Sequence, residues 1–255
     1  MSENNLSIEG YYKDFEHKGW HLGLMREALE KTEIPGDILK SIQGKGGIKF
    51  LVVGSATERN LDEIALLDKL IRPGKGRQDD VIILDYNNYP LQRGQDRAEF
   101  IEKWEENHKR NFPEDKSDSL LYPNFEFTQG DIRQLPLKQE STDIVITDYT
   151  LNFLADVEDI EKSFEEIGRI LIPGGVVFIS VKGNDKYQFS DDFISEKEAQ
   201  DVQSRELSGG VLINQFPLHT YVAIAKKHGL KLVNYSLADN GTTLLCGILQ
   251  KRRPE

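Results

Sequence analysis

The chain has 255 residues, enough for one large domain with a buried core. With 38% hydrophobic and 29% charged residues it has the balance of a folded globular protein and falls outside the disordered class. A formal net charge of -11, with Lys and Arg scattered among acids, repels a phosphate backbone, so no nucleic-acid partner is expected.

The single cysteine, Cys246, stands in an apolar run and cannot build a disulfide framework or a cysteine-based zinc site, and no metal is expected. The first residues, MSENNLSIEG, lack the charged-then-apolar pattern of a secretory leader. No apolar stretch approaches the roughly 20 residues that span a bilayer, so the expectation is a cytoplasmic protein without a membrane partner.

Along the chain, short β-branched runs alternate with amphipathic stretches, a pattern that predicts a parallel sheet covered by helices on both faces. The first run is 48–53, ending at Gly54. Leu61, Ile64, Ala65, Leu67 and Ile71 then fall at helical spacing, with Asn60 and Glu63 as a capping box. The second run, 81–84, is apolar on both faces and ends at Asp85, as a central strand would. A helix is predicted over 97–109, and the hydrophilic stretch 107–119 reads as a surface excursion.

Residues 125–129 form the third run, closed by Gly130 and Asp131, and 143–147 the fourth, closed by Asp148. Asp156 opens a helix that carries Val157, Ile160, Phe164, Ile167 and Leu171 on one face. That helix is expected to stop at Pro173-Gly174-Gly175, with a fifth strand over 176–181. After a helix over 217–228, ended by Gly229, two strand-like runs (230–237 and 242–249) flank Asp239-Asn240-Gly241. An Asn-Gly step between apolar runs predicts a hairpin, because both central residues of such a turn need positive φ. The sheet should therefore end in an antiparallel pair, which a doubly wound dinucleotide-binding domain would not.

In an open α/β sheet, ligands bind beyond the carboxyl ends of the strands, near the point where the strand order reverses. Gly54 lets the backbone come close to a ligand, and the amides that follow it, at Ser55 and Ala56, can donate to an anionic group. Asp85 is placed to accept from both hydroxyls of a ribose, and Tyr86 offers a flat face for a base. Asp131 can accept from an exocyclic amine while the amide of Ile132 donates to a ring nitrogen, which together would read adenine. Taken singly, a strand-terminal Asp is more often a turn or cap residue than a ligand contact. Their joint order, glycine then acid, acid and acid after four successive strands, points to a ligand site.

Three stretches carry a resemblance: Gly-Asp-Ile-Arg-Gln-Leu-Pro-Leu at 130–137, Ser-Thr-Asp-Ile-Val-Ile-Thr-Asp-Tyr-Thr-Leu-Asn-Phe-Leu at 141–154, and Glu-Glu-Ile-Gly-Arg-Ile-Leu-Ile-Pro-Gly-Gly at 165–175. They resemble the class I S-adenosylmethionine-dependent methyltransferases, particularly the small-molecule type. The resemblance implies an α/β fold: a Rossmann-like three-layer sandwich with a mostly parallel seven-stranded sheet ending in an antiparallel hairpin. It further implies one domain over 1–255, comprising an N-terminal helical lid (1–47), a core (48–250) and a substrate-lid insertion (182–215). The implied cofactor is S-adenosylmethionine, with Gly54, Ser55, Ala56 and Glu58 along its methionine part, Asp85 at the ribose with Tyr86 beside it, and Asp131 and Ile132 at the adenine. Thr147, Asp148 and Tyr149 would floor the methyl-transfer site.

Gly10-Tyr11-Tyr12-Lys13-Asp14 looks like the family's lid helix, in which a tyrosine approaches the sulfonium; the two rings serve equally well as anchors of a packed helix. The family's glycine motif has an acid two residues before the first glycine and glycines at alternate positions after it. Here Val52, Gly54, Ala56 and Glu58 take those places, and Glu58 is expected to pair with the cofactor's ammonium in place of the acid missing at Val52.

Methyl transfer from a sulfonium is an in-line displacement, so the protein must chiefly align acceptor and methyl. A base is needed only if the acceptor must lose a proton, and Tyr11, Tyr12, His21 and His219 are the candidates. The acceptor is expected to be a small molecule, met by the N-terminal helix and by a segment carrying Tyr187, Phe189 and Phe193. Three other readings stand beside this one: a binding or scaffolding protein on the same fold without catalysis, an NAD(P)-dependent oxidoreductase, and aminopropyl transfer from a decarboxylated donor.

Overall fold

Strands that are apolar on both faces need cover on both sides, and parallel neighbours need a return path across a face; the two demands together make a layered sheet. The computed structural model describes residues 34–43, 45–54, 79–86, 102, 106, 123–183, 203–206, 212–239 and 243–253. In it the predicted runs become β1 (Lys49–Val53), β2 (Asp80–Asp85), β3 (Asn124–Gln129), β4 (Thr142–Asp148) and β5 (Leu171–Lys182). A separate two-stranded sheet pairs β6 (Gln203–Glu206) with β7 (Leu212–Gln215). The last strands are β8 (Leu230–Asp239) and β9 (Thr243–Lys251).

The main sheet has seven strands in the order β3-β2-β1-β4-β5-β9-β8. Neighbours from β3 to β5 are parallel, while β9 runs antiparallel to both β5 and β8. The chain thus steps outward from β1 to β3 and then returns to place β4 on the other side of β1. Strand order reverses between β1 and β4.

Alternation along the strands sorts the core into two faces. Phe50, Val52, Ile144, Ile146, Val176 and Phe178 pack with Ile38 and Ile42 of α1 (Gly36–Gln43). On the opposite face Leu51, Val53, Val145, Val177 and Ile179 meet Ile160, Phe164 and Ile167 of α2 (Val157–Ile170) and Tyr221 and Ile224 of α3 (Leu218–Lys227). Each of these large apolar side chains stabilises the sandwich by about 1.5–3 kcal/mol through burial. The result is the expected three-layer α/β architecture.

Asp156 caps α2 as the sequence suggests, its side chain accepting from the amide of Asp159 at 2.9 Å. The end of α2 differs from expectation. The helix stops at Ile170, and Leu171 already pairs with Thr142 of β4, whereas the next pair is Ile144 with Val176. β4 therefore advances two residues while β5 advances five, and Pro173-Gly174-Gly175 sits in a bulge within the strand rather than in a turn before it. Gly174 adopts φ +81, and a Cβ on Gly175 would lie 2.9 Å from the Ile172 carbonyl oxygen and 3.0 Å from that of Asp143.

β8 and β9 pair from Leu230 with Lys251 to Asp239 with Thr243, so the terminal hairpin is present in its strands. Its turn, 240–242, lies outside the described residues, as do the expected helix over 61–71, the excursion 107–119 and most of 97–109, where Glu102 and Glu106 are helical. Neither the β6–β7 hairpin nor a 3-10 turn over Thr150–Phe153 was foreseen in the sequence. No described helix is long and apolar enough to cross a membrane.

Gly168 lets α2 approach the end of α3, for a Cβ there would stand 2.9 Å from the backbone oxygen of His228. Gly168→Ala should destabilise the fold by about 1–3 kcal/mol, read as a lower urea midpoint with an unchanged slope.

Candidate functional site

Register sets the site before any side chain is considered. Val53 lies between Leu84 of β2 and Thr147 of β4, Asp85 lies beside Gln129 of β3, and Asp148 lies beside Ser180 of β5. The predicted tip residues of β1 to β4 therefore share one edge of the sheet. Gly54 continues β1 by one step, its N–H donating to the Leu84 carbonyl at 2.9 Å, and Gly130 donates to the Asp85 carbonyl at the same distance.

Asp85 is 3% exposed, whereas Tyr86, the first residue beyond it, is 67% exposed. A buried acid beside a free-standing ring suits the two neighbouring parts of a nucleoside. Gln129 steadies the Tyr86 backbone by donating from Nε2 to its carbonyl oxygen at 3.1 Å.

Asp131 is not alone at the tip of β3, and this neighbour was not foreseen. Arg133 donates through Nε to both carboxylate oxygens (2.9 and 3.0 Å), through its terminal nitrogen to Oδ2 (2.6 Å) and through its backbone N–H to Oδ1 (2.9 Å). Its second terminal nitrogen donates to Asp159 Oδ2 at 2.8 Å, in the first turn of α2. The guanidinium of Arg133 holds the Asp131 carboxyl below its ordinary value, against the opposing effect of burial. A ligand amine at Asp131 would share its carboxylate with this ion pair. Ile132 itself is buried.

At β4, Thr147 is fully buried and its Oγ1 has no hydrogen-bond partner among the described residues. Tyr149, immediately past Asp148, takes a left-handed conformation (φ 53°, ψ -1°) that costs a non-glycine residue about 1–2 kcal/mol. Its N–H donates to the carbonyl of Ser180 at 3.0 Å and lies 3.3 Å from the Ser180 hydroxyl, while Lys182 Nζ stands 5.3 Å from its ring centre. Such strain persists only where the surroundings enforce it.

The enforcement comes from the 3-10 turn. Thr150 Oγ1 donates to the Val53 carbonyl at 2.7 Å, tying the end of β4 to the end of β1. Gly54, at φ +86, passes so close that a Cβ would stand 1.9 Å from that Oγ1. Asn152, fully buried, donates from Nδ2 to the carbonyls of Lys182 (2.9 Å) and Asn214 (2.8 Å) and to the Tyr221 hydroxyl (3.2 Å), and accepts from the Lys182 N–H (2.9 Å). Burial pushes the Tyr221 phenol well above its ordinary pKa, so it stays protonated.

Tyr221, near the start of α3, meets Asn152, and His219 stands in the first turn of the same helix with its Nε2 buried. Tyr11, Tyr12, His21, Ser55, Ala56 and Glu58 lie outside the described residues. Arg133, Thr150 and Asn152 stand within the motif stretches but carried no assignment. Their signal was faint: two polar residues alternating with Leu151 and Phe153 in the short link between a strand tip and a helix cap. Among the described residues, no group of three His, Cys, Asp or Glu side chains is placed to hold a metal.

Residues 76–179 match the profile of a family described as methyltransferase domain. A methyltransferase from Methanosarcina mazei, described as S-adenosylmethionine-dependent, superposes with a TM-score of 0.55 at 12% identity, covering 87% of this chain and all of that one. The 1,6-didemethyltoxoflavin-N1-methyltransferase of Burkholderia thailandensis, solved with 1,6-didemethyltoxoflavin and S-adenosylhomocysteine, gives 0.58 at 14% identity, covering 96% of this chain and 88% of that one. The 4+2 cyclase SpnF gives 0.54 at 12% identity, covering 86% of this chain and 80% of that one. No curated protein matches the sequence. The superpositions show that the chain has the fold of these S-adenosylmethionine-dependent methyltransferases, and residues 76–179 are similar to the methyltransferase domain family.

Two consequences are measurable. Gly54→Ala forces both a positive φ and an overlap with Thr150, so it should cost about 2 kcal/mol or more of folding stability. The lowered Asp131 pKa means that the Arg133 pair adds stability above the unfolded carboxyl pKa and loses it as the pH falls through the folded one. Arg133→Gln should thus be less stable than the natural protein at pH 7, and urea unfolding at pH below about 4 should show that gap closing.

Proposed function

We propose that the protein transfers the methyl group of S-adenosylmethionine to a small-molecule acceptor. The observation that carries this reading is the row of tips across β3, β2, β1 and β4: the acid Asp131, the buried acid Asp85, the left-handed Gly54, and the strained turn at Tyr149. Three interstrand spacings make that row about 14 Å long, the reach of a nucleoside carrying an amino-acid chain. Asp85 would accept from the ribose hydroxyls, Tyr86 would cover one face of the base, and Asp131, steadied by Arg133, would accept from the adenine amine.

When bound, the sulfonium supplies an already activated methyl group. The chain's own task is alignment and exclusion of water, and the turn Tyr149–Asn152 lies where an acceptor would approach. The Burkholderia thailandensis enzyme, solved with bound 1,6-didemethyltoxoflavin and S-adenosylhomocysteine, supports a small-molecule acceptor by analogy of fold. His219, in the first turn of α3, is the described candidate for taking a proton from an acceptor that must lose one. Segments 1–47 and 182–215 are the proposed covers of the site.

A second reading, a binding protein on this fold, is favoured by one observation: Glu58 stands where the glycine motif should meet a carboxylate. Isothermal titration with S-adenosylmethionine and S-adenosylhomocysteine separates the two. Binding of both is expected, with Asp85→Asn weakening each by about 10- to 100-fold. No heat with either compound would overturn the methyl-transfer reading and leave the binding protein.

A further inference from the structure

Thr150 lies at the reversal of strand order, against both Val53 and Gly54 at the end of β1. Its hydroxyl donates to the last carbonyl of β1, and the missing side chain of Gly54 leaves the volume that Oγ1 fills. Gly54 therefore packs directly on a fixed oxygen. That oxygen cannot recoil, because Asn152, two residues on, is held by the backbone of β5 and β7 and by Tyr221 of α3. The same turn carries Tyr149, whose left-handed backbone is secured by Ser180.

We propose that Thr150 is a positioning residue for the methyl donor: it fixes the end of β1 at Val53 and the left-handed Gly54, the place proposed for the donor's amino-acid end. The inference rests on the donor reading above. It adds that the turn after β4 and the end of β1 at Gly54 are held together, so the grip on the amino-acid end depends on a residue that need not touch the donor. Adenosine, held at Asp85 and Asp131, has no amino-acid end and should be indifferent to Thr150. That difference separates positioning from a general loss of structure.

The test titrates the natural protein, Thr150→Val and Thr150→Ser with S-adenosylhomocysteine and with adenosine, and records the thermal melt of each. Valine keeps the shape and removes the donor hydroxyl; serine keeps the hydroxyl. Thr150→Val should bind S-adenosylhomocysteine about tenfold more weakly, the loss of one hydrogen bond's worth of order, and adenosine within about twofold of the natural protein. Thr150→Ser should restore S-adenosylhomocysteine to within about threefold. Equal affinity of Thr150→Val and the natural protein for S-adenosylhomocysteine would overturn the proposal, and so would a parallel loss for both ligands. If the natural protein binds neither compound, the donor reading itself falls and takes this inference with it.

Discussion

A parallel sheet whose strand order reverses parts its connecting chains at one place and leaves a crevice there. In this protein the carboxyl ends of β1 and β4 are bridged there by a side-chain hydrogen bond from Thr150 to Val53 and by a glycine that yields to it. Most of what surrounds the site follows from this contact. Gly54 must be left-handed to pass the threonine, the turn after β4 must tighten to bring the threonine over, and Tyr149 takes the strain of that tightening. Asn152 then anchors the far end of the turn to β5, β7 and α3, so the edge where a ligand would rest is braced from both sides.

The electrostatics of the edge repeat the theme on the other flank. Asp131 would be a lone acid at the tip of β3 but for Arg133, which also reaches Asp159 at the start of α2. One guanidinium thus links the tip of a strand to the first turn of a helix, where acids are already favoured by the helix dipole. A strongly acidic chain gains an ordered cation at its proposed base-binding corner, and the acid there is oriented as well as charged.

The strands and their tips were legible because their signals are local. Apolar runs stop at Gly54, Asp85, Gly130-Asp131 and Asp148, and each stop falls within a residue or so of the observed strand end. The Asp156 cap was legible for the same reason. Pro173-Gly174-Gly175 misled because its punctuation has two meanings. It can end a helix or bulge a strand, and the choice was made by β4, which pairs with Leu171 ahead of the glycines and with Val176 after them. The Arg133 ion pair was missed although its partner Asp131 is two residues away, since nothing in the spacing says whether a side chain folds back or faces solvent.

Sequence alone determined the layered architecture, the antiparallel ending and the identities of the residues at the strand tips, because hydrophobic period and turn chemistry are written over a few neighbouring positions. Only the tertiary structure decided which tips stand side by side, that Thr150 meets the end of β1 from 97 positions away, and that Asn152 gathers three separate elements. Those contacts depend on strand order and register, which are settled by the packing of the whole sheet between its helices and leave no trace in any local pattern.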